Sequence, residues 1–290
     1  MSPLSSVPSV GGAISQKNAL PIVTENLRFW VDADNNDIGH SGTYMYNQVK
    51  GPQAGTNNYR IYCPNAPSYN YQATLDGRTV SYWDFDGTND YGYADDGDEY
   101  SDLDLSDAYN GTNGDFTIEY WVRSDINLYN TLRFPLARYS GNNDDQKSFV
   151  FGFESNRYQG MLWRLGGSWH RTYITTTNSL ATFAKDVWHH YVWSFRKMDP
   201  DNFPYCRSVI YWNGALPPGS YSTNPFTGWN NLAPHDGGSR GLYVGTPWSY
   251  DWCWDGQMSI LRLYNGKALT ANEVKRNYNA DAAKFGLTPI

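Results

Sequence analysis

A disulfide framework, a basic surface and a membrane-length apolar run are all missing from this sequence. Its three cysteines, Cys63, Cys206 and Cys253, are too few and too scattered to staple a fold, and their spacing matches no metal finger. Sparse thiols are usual in reducing compartments, so free cysteines and synthesis in a cytoplasm are expected. Lys and Arg number 22 against 29 Asp and Glu, a net charge of −7. With no basic stripe, nucleic acid is not an expected partner. No apolar run approaches the ~20 residues that a membrane helix needs, so no membrane is expected either. The opening residues, MSPLSSVPSVGGAISQKN, have neither a basic stretch nor a long apolar core, and no signal peptide is expected. Catalytic signatures are scarce too. The five histidines form no H-E-x-x-H pattern, and there is no G-x-S-x-G elbow.

Aromatic residues, by contrast, are abundant: Trp 12, Tyr 24 and Phe 12, or 17% of the chain. They suffice for a thick sandwich core with many rings left for the surface. A chain of 290 residues suits one large all-β domain, a class that commonly reaches about 200–250 residues, plus a tail. Residues 1–24 are rich in Ser, Pro and Gly and almost uncharged, and cannot fold alone. They are expected to form an N-terminal arm that either anchors in a larger assembly or lies on its own domain, residues 25–290.

Short strands are predicted throughout that domain. Leu27–Ala33 is the first, followed by Asp34–Tyr46 and a long polar stretch to Thr74 that reads as loop. Ser81–Asp86 follows. Phe116–Val122 alternates strictly, with Phe116, Ile118, Tyr120 and Val122 on one face and Thr117, Glu119 and Trp121 on the other, which predicts a half-buried strand. Phe134–Arg138, Ser148–Glu154, Gly160–Leu165, Thr172–Thr176, Trp188–Phe195, Arg207–Trp212 and Leu242–Gly245 continue the theme. The last strand, Gln257–Tyr264, slips in its alternation between Ile260 and Leu261, which predicts a bulge or cover on both faces. A helix follows, opened by a Thr270/Glu273 capping box with Leu269 and Val274 as its hydrophobic staple. Many short strands with a single terminal helix predict an all-β antiparallel sandwich of the jelly-roll type.

Three kinds of site are conceivable. Glycoside hydrolysis needs two carboxylates about 5–9 Å apart, but Glu119 is the sole acid on its strand. Calcium takes 6–8 oxygen ligands, and Asp95, Asp96 and Asp98 crowd one loop, with Asp86 and Asp255 at the rim. The latter two each precede a glycine, so they equally suit a turn role. The loop Trp248-Ser249-Tyr250-Asp251-Trp252-Cys253-Trp254 mixes rings with polar groups as a glycan platform would. Trp248, Tyr250, Asp251, Trp252 and Trp254 are its candidates, although the same rings suit packing or a subunit contact.

The ordered set FDGTNDY (Phe85–Tyr91), FTIEYWV (Phe116–Val122), WHHYVWSF (Trp188–Phe195), VIYWNG (Val209–Gly214) and LRLYNGKALTANEV (Leu261–Val274) resembles the laminin-G-like, concanavalin A-like jelly-roll superfamily. LRFWVDADNNDIGHSGTYMYNQ (Leu27–Gln48) and YNADAAKFGL (Tyr278–Leu287) look like laminin-G-like domains of tailed-phage virion proteins. The resemblance implies two curved antiparallel sheets, a face and rim used for glycan or protein contact, often a calcium ion in that rim, and a structural role for His189 and His190. The expected function is a non-enzymatic virion surface protein, either a capsid decoration or an appendage. It would be made in the host cytoplasm, present in several copies, docked on capsid or tail proteins through its arm and reaching glycans with its loops. A free lectin and a glycoside hydrolase are the alternatives.

Overall fold

The computed structural model describes residues 21–35, 40–49, 60–94, 115–128, 131–139, 147–155, 157–164, 168–175, 184–197, 206–217, 241–245 and 252–290. Two antiparallel sheets face each other. The first contains β1 (Leu27–Asp32), β4 (Ser68–Leu75), β5 (Arg78–Asp86), β7 (Phe116–Ser124), β12 (Trp188–Lys197), β13 (Cys206–Trp212) and β15 (Asp255–Asn265). Its order is β13-β12-β7-β15-β5-β4, with β1 also paired to β15. The second contains β2 (Tyr44–Tyr46), β3 (Arg60–Asn65), β6 (Tyr91–Ala94), β8 (Thr131–Tyr139), β9 (Lys147–Ser155), β10 (Arg157–Arg164), β11 (Ser168–Thr175) and β14 (Gly241–Val244). Its order is β11-β10-β9-β8-β14-β6-β3-β2. The helix is α1 (Ala271–Asp281). This is the expected all-β sandwich. The stretch to Thr74 that reads as loop is a correction, because it holds β2, β3 and β4. β2 and β4 are edge strands, where a strand needs little apolar alternation, β3 lies one strand in, and β4 is largely exposed.

β15 is the hub of the first sheet. One of its edges pairs with β7 from Gly256 to Asn265. The other edge is divided, with β5 beside Asp255–Met258 and β1 beside Ile260–Tyr264. The register shifts between Met258 and Ile260, at the point where the partner changes. There the Ser259 carbonyl accepts a hydrogen bond from the Ala33 N–H at 2.9 Å. Gly256 through Tyr264 are all buried. The slip in alternation therefore reflects a bulge and two covered faces together.

Between the sheets lies the main core, with Trp83, Phe116, Ile118, Tyr120, Trp193 and Leu261 from the first sheet and Ile61, Leu136, Phe151 and Val244 from the second. Each fully buried apolar side chain of this size contributes about 1.5–3 kcal/mol. The half-buried reading of Phe116–Val122 needs correction, since every residue of β7 is buried. Its second face is covered by α1 and the chain that follows. Trp121 stacks on Phe285 at 4.3 Å and on Tyr278 at 5.6 Å between ring centroids.

The helix starts where its sequence says it should. Thr270 Oγ1 accepts from the Glu273 N–H at 3.4 Å, and Glu273 Oε2 accepts from the Thr270 N–H at 2.9 Å. Leu269 and Val274 are buried in one cluster, as a staple requires. The chain near Pro21 lies against the helix. Asn277 Oδ1 accepts from the Val23 N–H at 2.8 Å, Tyr264 donates to the Val23 carbonyl at 3.0 Å, and Arg276 donates to the carbonyls of Pro21 and Ile22. Residues 1–20 of the expected arm lie outside the described residues.

Candidate functional site

Glu119, the sole acid of the Phe116–Val122 strand, sits beneath α1 with no exposure. Arg262 donates to its Oε1 at 2.6 Å, His190 Nε2 donates to the same oxygen at 3.1 Å, and Asn277 donates to Oε2 at 2.6 Å. Burial pushes this carboxyl up, but Arg262 and these hydrogen bonds outweigh it and hold the group at about 2. Arg262 also pairs with Asp281 at 2.8 Å. A permanently ionised carboxylate whose oxygens are both occupied offers a substrate neither a proton nor a nucleophile. The network ties helix to sheet. His189 is buried as well: its Nδ1 accepts from the Trp212 indole at 3.2 Å, its Nε2 donates to the Ala184 carbonyl at 3.4 Å, and burial lowers its pKa to about 4.

At the rim, Asp86 and Asp255 are Cα partners across β5 and β15. Asp86 Oδ1 accepts N–H bonds from Thr88, Asn89 and Asp90 at 2.8, 3.1 and 3.4 Å, closing a turn. Its slight burial works against ionisation, yet these bonds hold its carboxyl below the usual range. Asp255 is raised, first by burial and then by Asp125. Nearby carboxylates already have protein partners. Gln257 donates to Asp84 at 2.6 Å and to Asp125 at 2.7 Å, while Arg123 pairs with Asp125, Asp186 and Asp76. Among the described residues no group of three or more His, Cys, Asp or Glu could hold a metal ion. Asp95, Asp96 and Asp98 lie outside the described residues.

Of the aromatic loop, Trp248, Tyr250 and Asp251 also lie outside the described residues. Trp252 is half-buried against Phe134, 6.2 Å between centroids. Trp254 is a core residue, which corrects its reading as a sugar platform. It enters β15 on the face between the sheets, stacks on Phe153 at 5.9 Å and has no exposure.

The surface that the sequence reading missed is on the second sheet. In β2, β3, β6 and β14, Met45, Ile61, Cys63, Ala94, Leu242 and Val244 point into the core. Every alternate position therefore points outward, and tyrosine fills most of them. Tyr44, Tyr62, Tyr93 and Tyr243 are directly opposed from strand to strand. Their centroids step by 5.6, 5.8 and 5.9 Å. Tyr46 and Tyr91 flank the row at 5.9 Å from Tyr44 and 6.3 Å from Tyr93. None of these rings is buried, and Tyr62 is 38% exposed. The Arg60 guanidinium lies over the Tyr44 ring, 3.9 Å from its centroid. Gly92, between Tyr91 and Tyr93, has no room for a side chain: a Cβ there would collide with Ile61 and with the Cys63 sulfur. On the next strand, Ala137 stands opposite Tyr243 and clusters with Phe134, Val150 and Trp252. Trp252 thus adjoins the tyrosine row. The sequence signal was present as YMY, IYC, YGY and LYV, each with its tyrosines out of phase with core residues.

Chemically, the row is a strip of apolar ring faces edged by hydroxyls, with one guanidinium. Such a strip complements a surface that itself alternates C–H faces with hydroxyls. A contiguous aromatic patch, exposed at Tyr62 and partly exposed at the other rings, is a candidate contact site.

Comparison with known proteins supports this picture at the level of fold. Among solved structures, the binding domain of botulinum neurotoxin DC in complex with rat synaptotagmin II is similar at 12% identity and a TM-score of 0.57, over 88% of this chain and 52% of that one. The receptor-binding domain of botulinum neurotoxin D is similar at 9% and 0.54, over 89% and 53%. The serotype D ligand-binding domain in complex with N-acetylneuraminic acid is similar at 10% and 0.52, over 90% and 54%. The chain spans about half the length of these structures, and the likeness is one of fold. No curated protein sequence matches. The Laminin_G_3 family model, described as concanavalin A-like lectin/glucanases superfamily, matches residues 95–275, so that β2, β3 and β6 of the tyrosine row lie upstream of the matched span. On the strength of that match and of the sandwich itself, the chain belongs to the concanavalin A-like lectin/glucanase superfamily.

Proposed function

We propose that this protein is a non-enzymatic, lectin-like module of a virion surface that holds glycans on its tyrosine face. Residues upstream of Pro21 dock it, in several copies, on capsid or tail proteins. The observation that carries the glycan reading is the in-register row Tyr44–Tyr62–Tyr93–Tyr243 on an outer sheet face. Membership of a superfamily of lectins and glucanases supports it, and the sealed position of Glu119 favours binding over hydrolysis. The virion setting rests on the resemblance of Leu27–Gln48 and Tyr278–Leu287 to phage laminin-G-like domains.

A glycan array tests the first half. The wild-type chain should give discrete positives that Tyr62→Ala and Tyr93→Ala each weaken about tenfold; an array that stays blank, or positives that both variants keep at full strength, refutes it. Deleting residues 1–20 tests the second half. The truncated chain should fold and keep its glycan positives but fail to join particles, whereas unchanged incorporation refutes docking through that segment.

A further inference from the structure

The layout of the row says what length of glycan it takes. The four opposed tyrosines come one from each of β2, β3, β6 and β14. Neighbouring strands lie about 4.8 Å apart, and the measured ring steps are 5.6, 5.8 and 5.9 Å. A sugar residue in a chain is of the same length, so successive sugars can meet successive rings. The row is also divided in the middle. Tyr44 and Tyr62 are inclined by 36° and Tyr93 and Tyr243 by 33°, but Tyr62 and Tyr93 meet edge-on at 79°. Tyr46 broadens the first pair, at 40° to Tyr44, and Tyr91 the second, at 23° to Tyr93. The result is two facets of three rings each.

We infer that the tyrosine face binds an internal stretch of a linear polysaccharide, about four sugars long, laid across the strands with two sugars on each facet. The inference rests on the glycan reading above and adds the class of ligand to it. A terminal sugar would engage one facet and leave the other idle. At its β2–β3 end, the Arg60 guanidinium braces the Tyr44 ring. The face is built mainly upstream of the span that matches the family.

The test is isothermal titration of the full chain with amylose, cellulose and chitin fragments of one to six units. At least one series should bind with an affinity that rises about tenfold or more from one unit to four and then levels off. Tyr44→Ala and Tyr243→Ala each remove one end of the row, and each should move the plateau from four units to three. Both rings are partly exposed, so the thermal melts of these variants should match wild type. Monosaccharides that bind as tightly as four-unit fragments, or end variants that leave the plateau in place, overturn the inference while the glycan reading stands. If none of the three series binds to wild type, the inference falls, and the glycan reading falls with it only where the array is blank as well.

Discussion

Arg262 and Glu119 meet wholly inside the protein, guanidinium nitrogen to carboxylate oxygen at 2.6 Å, under the terminal helix. Breaking such a pair from one side leaves a buried charge without its partner. Arg262→Met should therefore cost about 3–5 kcal/mol, and adding Glu119→Gln should recover much of the loss. Guanidinium chloride unfolding measures both. A single variant as stable as wild type would show that the pair is not what holds α1 to the sheet.

His189 and His40 set a pH dependence. Burial lowers both to about 4, against the opposing pull of the Ala184 and Asp32 carbonyls respectively. In the unfolded chain they titrate near 6.5, so between pH 6.5 and 4 the unfolded state binds more protons and stability falls as pH falls. Asp90 acts in the opposite sense. Burial and then Asp86 raise it to about 6, so the stability it contributes is present below 3.8 and is lost as pH rises through 6. Replacing His189 with Gln should reduce the wild-type slope of unfolding free energy against pH in the 6.5-to-4 window by up to one proton. An unchanged slope would place the titration elsewhere.

Gly256, the second residue of β15, has φ at +136°, where a side chain is strained. A Cβ there would also collide with the Arg123 carbonyl and come within 2.8 Å of Ser124 Cα. Gly256→Ala should destabilise by about 2 kcal/mol or more, since both the conformation and the contact oppose it. A thermal melt within a degree of wild type would contradict the geometry of this strand entrance.

Trp254 and Tyr62 should behave as opposites. Trp254→Ala opens a hole between the sheets and should cost about 3–5 kcal/mol. Tyr62→Ala trims a 38% exposed ring and should change stability by about 1 kcal/mol or less, yet weaken glycan binding about tenfold. Denaturant midpoints and array signals read together separate the two. Equal stability losses would mean the tyrosine face is structural.

How far the sequence announced this follows from which interactions are local. The capping box at Thr270 and the slip at Ile260 involve neighbours in the chain, and both read correctly. The burial of β7's second face did not, because Trp121 is covered by Phe285, a residue from the far end of the sequence. The tyrosine row was missed for the same reason: its motifs are in the sequence, but their alignment is not. Tyr44, Tyr93 and Tyr243 sit in strands of three or four residues, and only sheet register places them side by side. Trp254 was misplaced because a dense aromatic loop reads alike whether its rings turn inward or outward.

Pro21 and Ile290 both rest on α1, through Arg276 and Asn279, behind the sheet that faces away from the tyrosines. A scaffold gripping the protein beside Pro21 or Ile290 would stand at its back. Neighbouring copies held this way would point their rows in one direction, so that a long polysaccharide could be caught by several weak contacts at once, with a combined hold well beyond that of any single one.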